Sequence, residues 1–178
     1  VDFKGNYTGT VTKTFNILPP ATKINSISNG TYGVVVKWDK VSSATGYRVY
    51  RSESGASFKL VKLITDNSIL SYTDTKTTYG LKYQYKIVAY KPVGGVNYYS
   101  SFSPVKTMYS LRKPEITAIK NSAASTIALK WSRDTKATGY QITIVSGSYT
   151  KKVIVTGASN VSKTITGLTK GKSYKVYV

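Results

Sequence analysis

Seven carboxylates, sixteen tyrosines and twenty-six cations are the only side chains here with types suited to chemistry, because the chain contains neither His nor Cys. Without imidazole there is no His base, proton shuttle or imidazole metal ligand. Without thiols, thiolate nucleophiles, structural zinc and disulfides are excluded as well. A Ser-His-Asp arrangement cannot be assembled. Carboxylate chemistry needs two acids on facing elements, yet Asp2, Asp39, Glu53, Asp66, Asp74, Glu115 and Asp134 are scattered along the chain. Several lie in turn-like sequence, where Asp bonds its own backbone. Calcium needs clustered oxygen ligands. Asp66-Asn67-Ser68 is the nearest approach to such a loop, and it reads better as a turn. No Gly-rich phosphate loop is present. The expectation is therefore no catalytic site, no metal site and no cofactor.

The net charge is +19, and it is spread: +1 over residues 1–18, +9 over 19–112 and +9 over 113–178. A Lys-rich solvated surface accounts for it most simply. The alternative is long-range attraction to a polyanion. Tyr47, Tyr83, Tyr140 and Tyr174 fall on core-facing phases, whereas Tyr32, Tyr50, Tyr90, Tyr98, Tyr99 and Tyr149 have phases that leave them at least partly exposed. Exposed aromatics beside Lys can stack on sugar rings. Tyr98 and Tyr99 near Lys91 form the best local constellation, and they are the candidate ligand surface.

These side chains must be positioned by strands. Val, Ile, Thr and Tyr, types suited to β-structure, are abundant. Val34, Val36 and Trp38 alternate with Val35 and Lys37; Ile127, Leu129 and Trp131 repeat the pattern, as do Tyr83, Tyr85, Ile87 and Ala89. A period of two is the signature of half-buried strands. Turn signals at Ser28-Asn29-Gly30, Ser54-Gly55, Gly94-Gly95 and Ser146-Gly147-Ser148 separate the runs. No stretch approaches the about 20 apolar residues of a membrane helix.

The chain also repeats itself. Lys37-Trp38 followed by Ala44-Thr45-Gly46-Tyr47 recurs as Lys130-Trp131 followed by Ala137-Thr138-Gly139-Tyr140, at a constant offset of 93 residues. Upstream, Ile24-Asn25-Ser26-Ile27 parallels Ile116-Thr117-Ala118-Ile119 with one residue inserted before the second Trp. Downstream, Gly80-Leu81-Lys82-Tyr83 parallels Gly171-Lys172-Ser173-Tyr174 at an offset of 91. Pro19-Pro20 and Pro114 open the two copies. The junction Leu111 to Glu115 is short and contains Pro, so it reads as a stiff joint.

At these residues the pattern resembles the fibronectin type III module. The Pro at entry, the Trp closing the second strand and the Gly-Tyr-x-Val at Gly46–Val49 match it. Tyr72-Thr73-Asp74 resembles its fifth strand, and Tyr98 to Ser103 the start of its last. Leu168-Thr169-Lys170-Gly171-Lys172-Ser173-Tyr174 is similar to its Leu-x-x-Gly-x-x-Tyr, which implies a tyrosine corner at Tyr174 and, with Thr77 in place of Leu, at Tyr83. Residues 1–18 resemble the final hairpin of a bacterial immunoglobulin-like repeat.

The resemblance implies an all-β fold of tandem fibronectin type III-like (Ig-like) β-sandwiches. The expected domains are 1–18, the tail of a preceding Ig-like domain; 19–112, a complete fibronectin type III-like domain; and 113–178, a second one lacking the rest of its sixth strand and all of its seventh. The function implied is a non-catalytic spacer and display segment of an exported bacterial protein, extracellular and secreted or cell-wall attached. The alternatives are a binding module for an anionic glycan, cell-wall polymer or host surface, and an accessory segment of a glycan-degrading enzyme. Expected partners are neighbouring domains of the same chain and a polyanionic glycan or cell-wall polymer, with no specific nucleic acid and no membrane span within these residues.

Overall fold

The computed structural model describes residue 5, residues 12, 13 and 15, and residues 17–178. The hairpin expected within residues 1–18 falls largely outside them. Fourteen strands follow, without a helix among the described residues.

The first eight strands are β1 (Ile24–Gly30), β2 (Gly33–Trp38), β3 (Gly46–Glu53), β4 (Lys59–Ile64), β5 (Ser71–Asp74), β6 (Lys82–Val93), β7 (Val96–Tyr99) and β8 (Lys106–Tyr109). They form two sheets, β1-β2-β5 and β4-β3-β6-β7, with β8 also pairing on β6. The period-two residues meet between the sheets. Val34, Val36, Trp38, Tyr47, Val49, Tyr83, Tyr85 and Ile87 are buried in one core. The remaining strands are β9 (Ile116–Ala123), β10 (Thr126–Trp131), β11 (Gly139–Ser146), β12 (Tyr149–Thr156), β13 (Ser162–Ile165) and β14 (Lys175–Tyr177). They form β13-β10-β9 and β12-β11-β14 around a second core that contains Leu129, Trp131, Tyr140, Ile142, Ile144, Ile165 and Leu168.

The residues shared by the two copies have the same jobs in each. Trp38 meets Tyr47 edge-on at 5.5 Å and 64°, and Trp131 meets Tyr140 with the same values. The Tyr47 hydroxyl accepts from the Val41 amide (2.9 Å), and that of Tyr140 accepts from the Asp134 amide (3.1 Å). Both tyrosine corners close: the Thr78 amide donates to the Tyr83 hydroxyl and the Thr169 amide to the Tyr174 hydroxyl, each at 2.9 Å. The residue inserted in the second copy is absorbed as a bulge. β1 skips one residue against β2, between Ile24 and Ser26, whereas β9 skips two against β10, at Thr117 and Ser122.

Two expectations need correction. Ser28-Asn29-Gly30 is the end of β1 rather than a turn, and the chain reverses at Thr31-Tyr32 instead, where Gly30 pairs with Gly33. The last strand of the first sandwich is divided. β7 pairs with the end of β6 across the Gly94-Gly95 turn, β8 with its beginning, and Pro104 lies in the gap. In that gap the Ser100 and Ser103 hydroxyls accept from the Ala89 and Ile87 amides, both at 3.0 Å, and so replace the missing ladder acceptors.

Candidate functional site

Successive residues of a strand point to opposite faces, and this divides the trio Tyr98, Tyr99 and Lys91. Tyr98 is the cross-strand partner of Lys91 near the Gly94-Gly95 turn. Tyr99 faces the other way, where the Arg48 guanidinium lies over its ring at 4.7 Å and Tyr90 packs beside it. Tyr90 itself is buried, at 7% exposure, under these neighbours.

Tyr99 belongs to a larger surface, the outer face of the β4-β3-β6-β7 sheet. Register places Tyr50 of β3 between Leu60 of β4 and Lys86 of β6. The Lys86 ammonium is held between two rings, 3.8 Å from the centre of Phe102 and 4.4 Å from that of Phe58. Tyr50 meets Phe102 edge-on at 5.3 Å. Lys86 and Arg48 are diagonal neighbours on adjacent strands, which sets them roughly 7–8 Å apart. Neither has a carboxylate partner among the described residues, where the one ion pair is Arg51–Asp74. Sequence reasoning missed this face because it joins strands about forty residues apart.

It also missed a buried polar centre. Asp74 is fully buried, and Arg51 reaches it through Nη1 at 2.9 and 3.2 Å. The Tyr85 hydroxyl donates to Asp74 Oδ2 (2.9 Å) and the Lys76 amide to Oδ1 (3.1 Å). Burial works against the Arg51 charge, but the Asp74 hydrogen bond and charge outweigh it and hold the guanidinium pKa above its ordinary value. The available signal was phase: Arg51 follows Tyr47 and Val49 on the inward side of β3, and an inward Arg requires a buried acid.

Burial, reinforced by the Asp74 charge and hydrogen bond, pushes the Tyr85 phenol far above its usual value. The raised folded pKa fixes the sign. Below about pH 10 folded and unfolded chains both hold the proton and the contribution is complete. Above it the unfolded chain releases a proton that the folded chain keeps, so stability falls by about 1.4 kcal/mol per pH unit. Urea unfolding between about pH 9 and 11 should show this slope, and Tyr85→Phe should flatten it. An unchanged slope would assign the alkaline loss elsewhere.

Asp66 serves a turn and Asp134 the joint. The Ser68 side chain and then its amide, which donates to Asp66 at 2.7 Å, hold the Asp66 carboxyl below its ordinary pKa. Asn67 donates to the Ala44 carbonyl (2.7 Å). At the joint, Asn29 donates through Nδ2 to the Tyr109 carbonyl (3.1 Å) and accepts through Oδ1 from the Leu111 amide (2.8 Å). Asp134 accepts from the Arg112 amide (2.8 Å) and from the Lys136 amide (2.9 Å). The Lys136 ammonium lies 5.5 Å from the Tyr109 ring centre. A cleft of about 450 Å³ opens beside the joint, lined by Asn29, Arg112, Lys113, Tyr140 and Tyr177 among others.

No family model matches the chain. A Kelch domain-containing protein of Saccharolobus solfataricus is 26% identical over 172 residues, which are 93% of this chain and 22% of that protein. The chain thus spans about a fifth of that relative's length. Among solved structures, the FN1–FN3 domains of chicken CNTN1 are similar at a TM-score of 0.48 and 20% identity, over 89% of this chain and 61% of that one. A two-domain fibronectin type III segment of chicken tenascin is similar at 0.39 and 15%, over 90% and 89%. By the strand order of its paired antiparallel sheets, with a tyrosine corner in each, the chain is built of fibronectin type III-like β-sandwiches.

Proposed function

We propose that this chain is a non-catalytic spacer and display segment of an exported bacterial cell-surface or secreted protein. The observation that carries the reading is the joint. Asn29 ties the exit of the first sandwich to its own β1, and Asp134 ties the same short segment to the second. A spacer needs such a joint, because a flexible tether transmits neither distance nor orientation. Edge strands support the same reading. Lys59 and Lys62 on β4, Lys151 and Lys152 on β12, and Lys163 on β13 stand on outer strands, where Lys discourages edge-to-edge association. These five lysines are five of the 26 cations of the chain.

Asn29→Ala with Asp134→Ala should broaden the distribution of interatomic distances in small-angle scattering and leave the melting of each sandwich nearly unchanged. Unaltered scattering would refute the role given to the joint. A second reading, as a binding module for an anionic partner, is favoured by Arg48 and Lys86, which have no carboxylate partner among the described residues, on one face.

A further inference from the structure

We infer that the outer face of β4-β3-β6-β7 docks a protein partner that sets carboxylates around apolar side chains. The inference rests on the binding reading and names the class of partner. The second sandwich serves as an internal control. It retains the Trp, the Tyr and the tyrosine corner, yet at the matching outer positions Arg48 becomes Gln141, Tyr50 becomes Thr143 and Lys86 becomes Tyr177. The sandwich therefore packs without this set.

Leu60, Leu63 and Phe102 are each 46% exposed. Phe, Tyr and Arg are the types enriched at protein interfaces, and Leu60 and Leu63 extend the apolar patch around them. The cations are preorganised by their rings, the face carries no acid among the described residues, and the chain is +19. Charge complementarity thus selects an acidic partner. The rings argue for protein over glycan. A sugar stacks on an open ring face, and here Lys86 covers Phe58 and Phe102 while Arg48 covers Tyr99.

The test compares four probes on the full chain at physiological salt: a random glutamate–tyrosine copolymer, polyglutamate, heparin and polygalacturonate. The copolymer should bind about tenfold more tightly than polyglutamate, and Arg48→Gln with Lys86→Gln, or Leu60→Ser with Leu63→Ser, should each remove about that factor. Tighter binding of heparin or polygalacturonate would overturn the protein assignment and leave the broader binding reading standing. Binding of no probe, or copolymer binding indifferent to these substitutions, would overturn both.

A second inference comes from the cores. Arg51 pairs across β3–β6 with Tyr85, and Asp74 sits opposite Val34. At the matching places of the second core Ile144 pairs with Val176, and Ile165 sits opposite Ile127. The geometry points to an address that prevents strand exchange between the two related sandwiches. With β13 in place of β5, Arg51 would lose its acid; with β5 in place of β13, Asp74 would enter an apolar core.

Arg51→Ile/Asp74→Ile/Tyr85→Val makes the two addresses alike, as does Ile144→Arg/Ile165→Asp/Val176→Tyr. On refolding the full chain from urea, whichever variant folds should yield several-fold more non-native monomer and dimer than the parent. Refolding yields equal to the parent's in the variants that fold would overturn the inference, and so would failure of both to reach any folded state, since sharing one address presupposes that each core accepts the other's set.

Discussion

Asp74→Ala is expected to destabilise the first sandwich by about 3–5 kcal/mol, the cost of leaving a buried charge without its partner. Asp74 is fully buried, and its removal strands Arg51, the Tyr85 hydroxyl and the Lys76 amide at once. Replacing the whole set behaves differently. Arg51→Ile/Asp74→Ile/Tyr85→Val copies a solution the second core already uses with Ile144, Ile165 and Val176. Exchange of a buried ion pair for well-packed apolar residues is commonly neutral or stabilising by about 1–4 kcal/mol. The triple variant should therefore stay within about 1 kcal/mol of the parent or exceed it. Urea unfolding followed through the β3 and β6 amide signals measures both effects. A triple variant as damaged as Asp74→Ala would show that the two cores are not interchangeable environments.

The second large effect is expected at Gly46, the glycine of the repeated Ala-Thr-Gly-Tyr. A Cβ there would run into the carbonyl of Ile64 on the paired strand, with the Tyr90 ring at 3.0 Å. The obstacle is backbone, so no side-chain rotation relieves it. Gly46→Ala should reach or exceed the upper end of the about 1–3 kcal/mol seen for overpacking. At Gly139 the corresponding obstacle is the Val155 carbonyl oxygen at 2.5 Å. Gly139→Ala should lose less, and the same melting experiment on both variants fixes the order. A harmless Gly46→Ala would mean that β3 and β4 can separate there without loss.

Much of the fold was legible because local chemistry specifies it. The phases of Val34, Val36, Trp38, Tyr47 and Tyr83 predict their burial, and the offset between the copies predicts matching contacts. Where interpretation failed, the deciding contact was distant in sequence. Ser28-Asn29-Gly30 has turn residues, yet Asn29 serves the joint through partners at 109 and 111. The last strand breaks because Pro104 cannot join a ladder and Ser100 and Ser103 can substitute for it. Tyr98 and Tyr99 are adjacent in sequence and opposed in space, as strand alternation requires. The ring-held cations Lys86 and Arg48 depend on the register of four strands, which no local pattern contains.

On the proposed reading, Asn29, Asp134 and the short Pro-containing junction hold the two sandwiches as one stiff unit. Residual dipolar couplings from both sandwiches of the weakly aligned full chain test it most directly. A single alignment tensor fitting both sets is the predicted result. Two tensors of clearly different magnitude would show independent motion and contradict the claim.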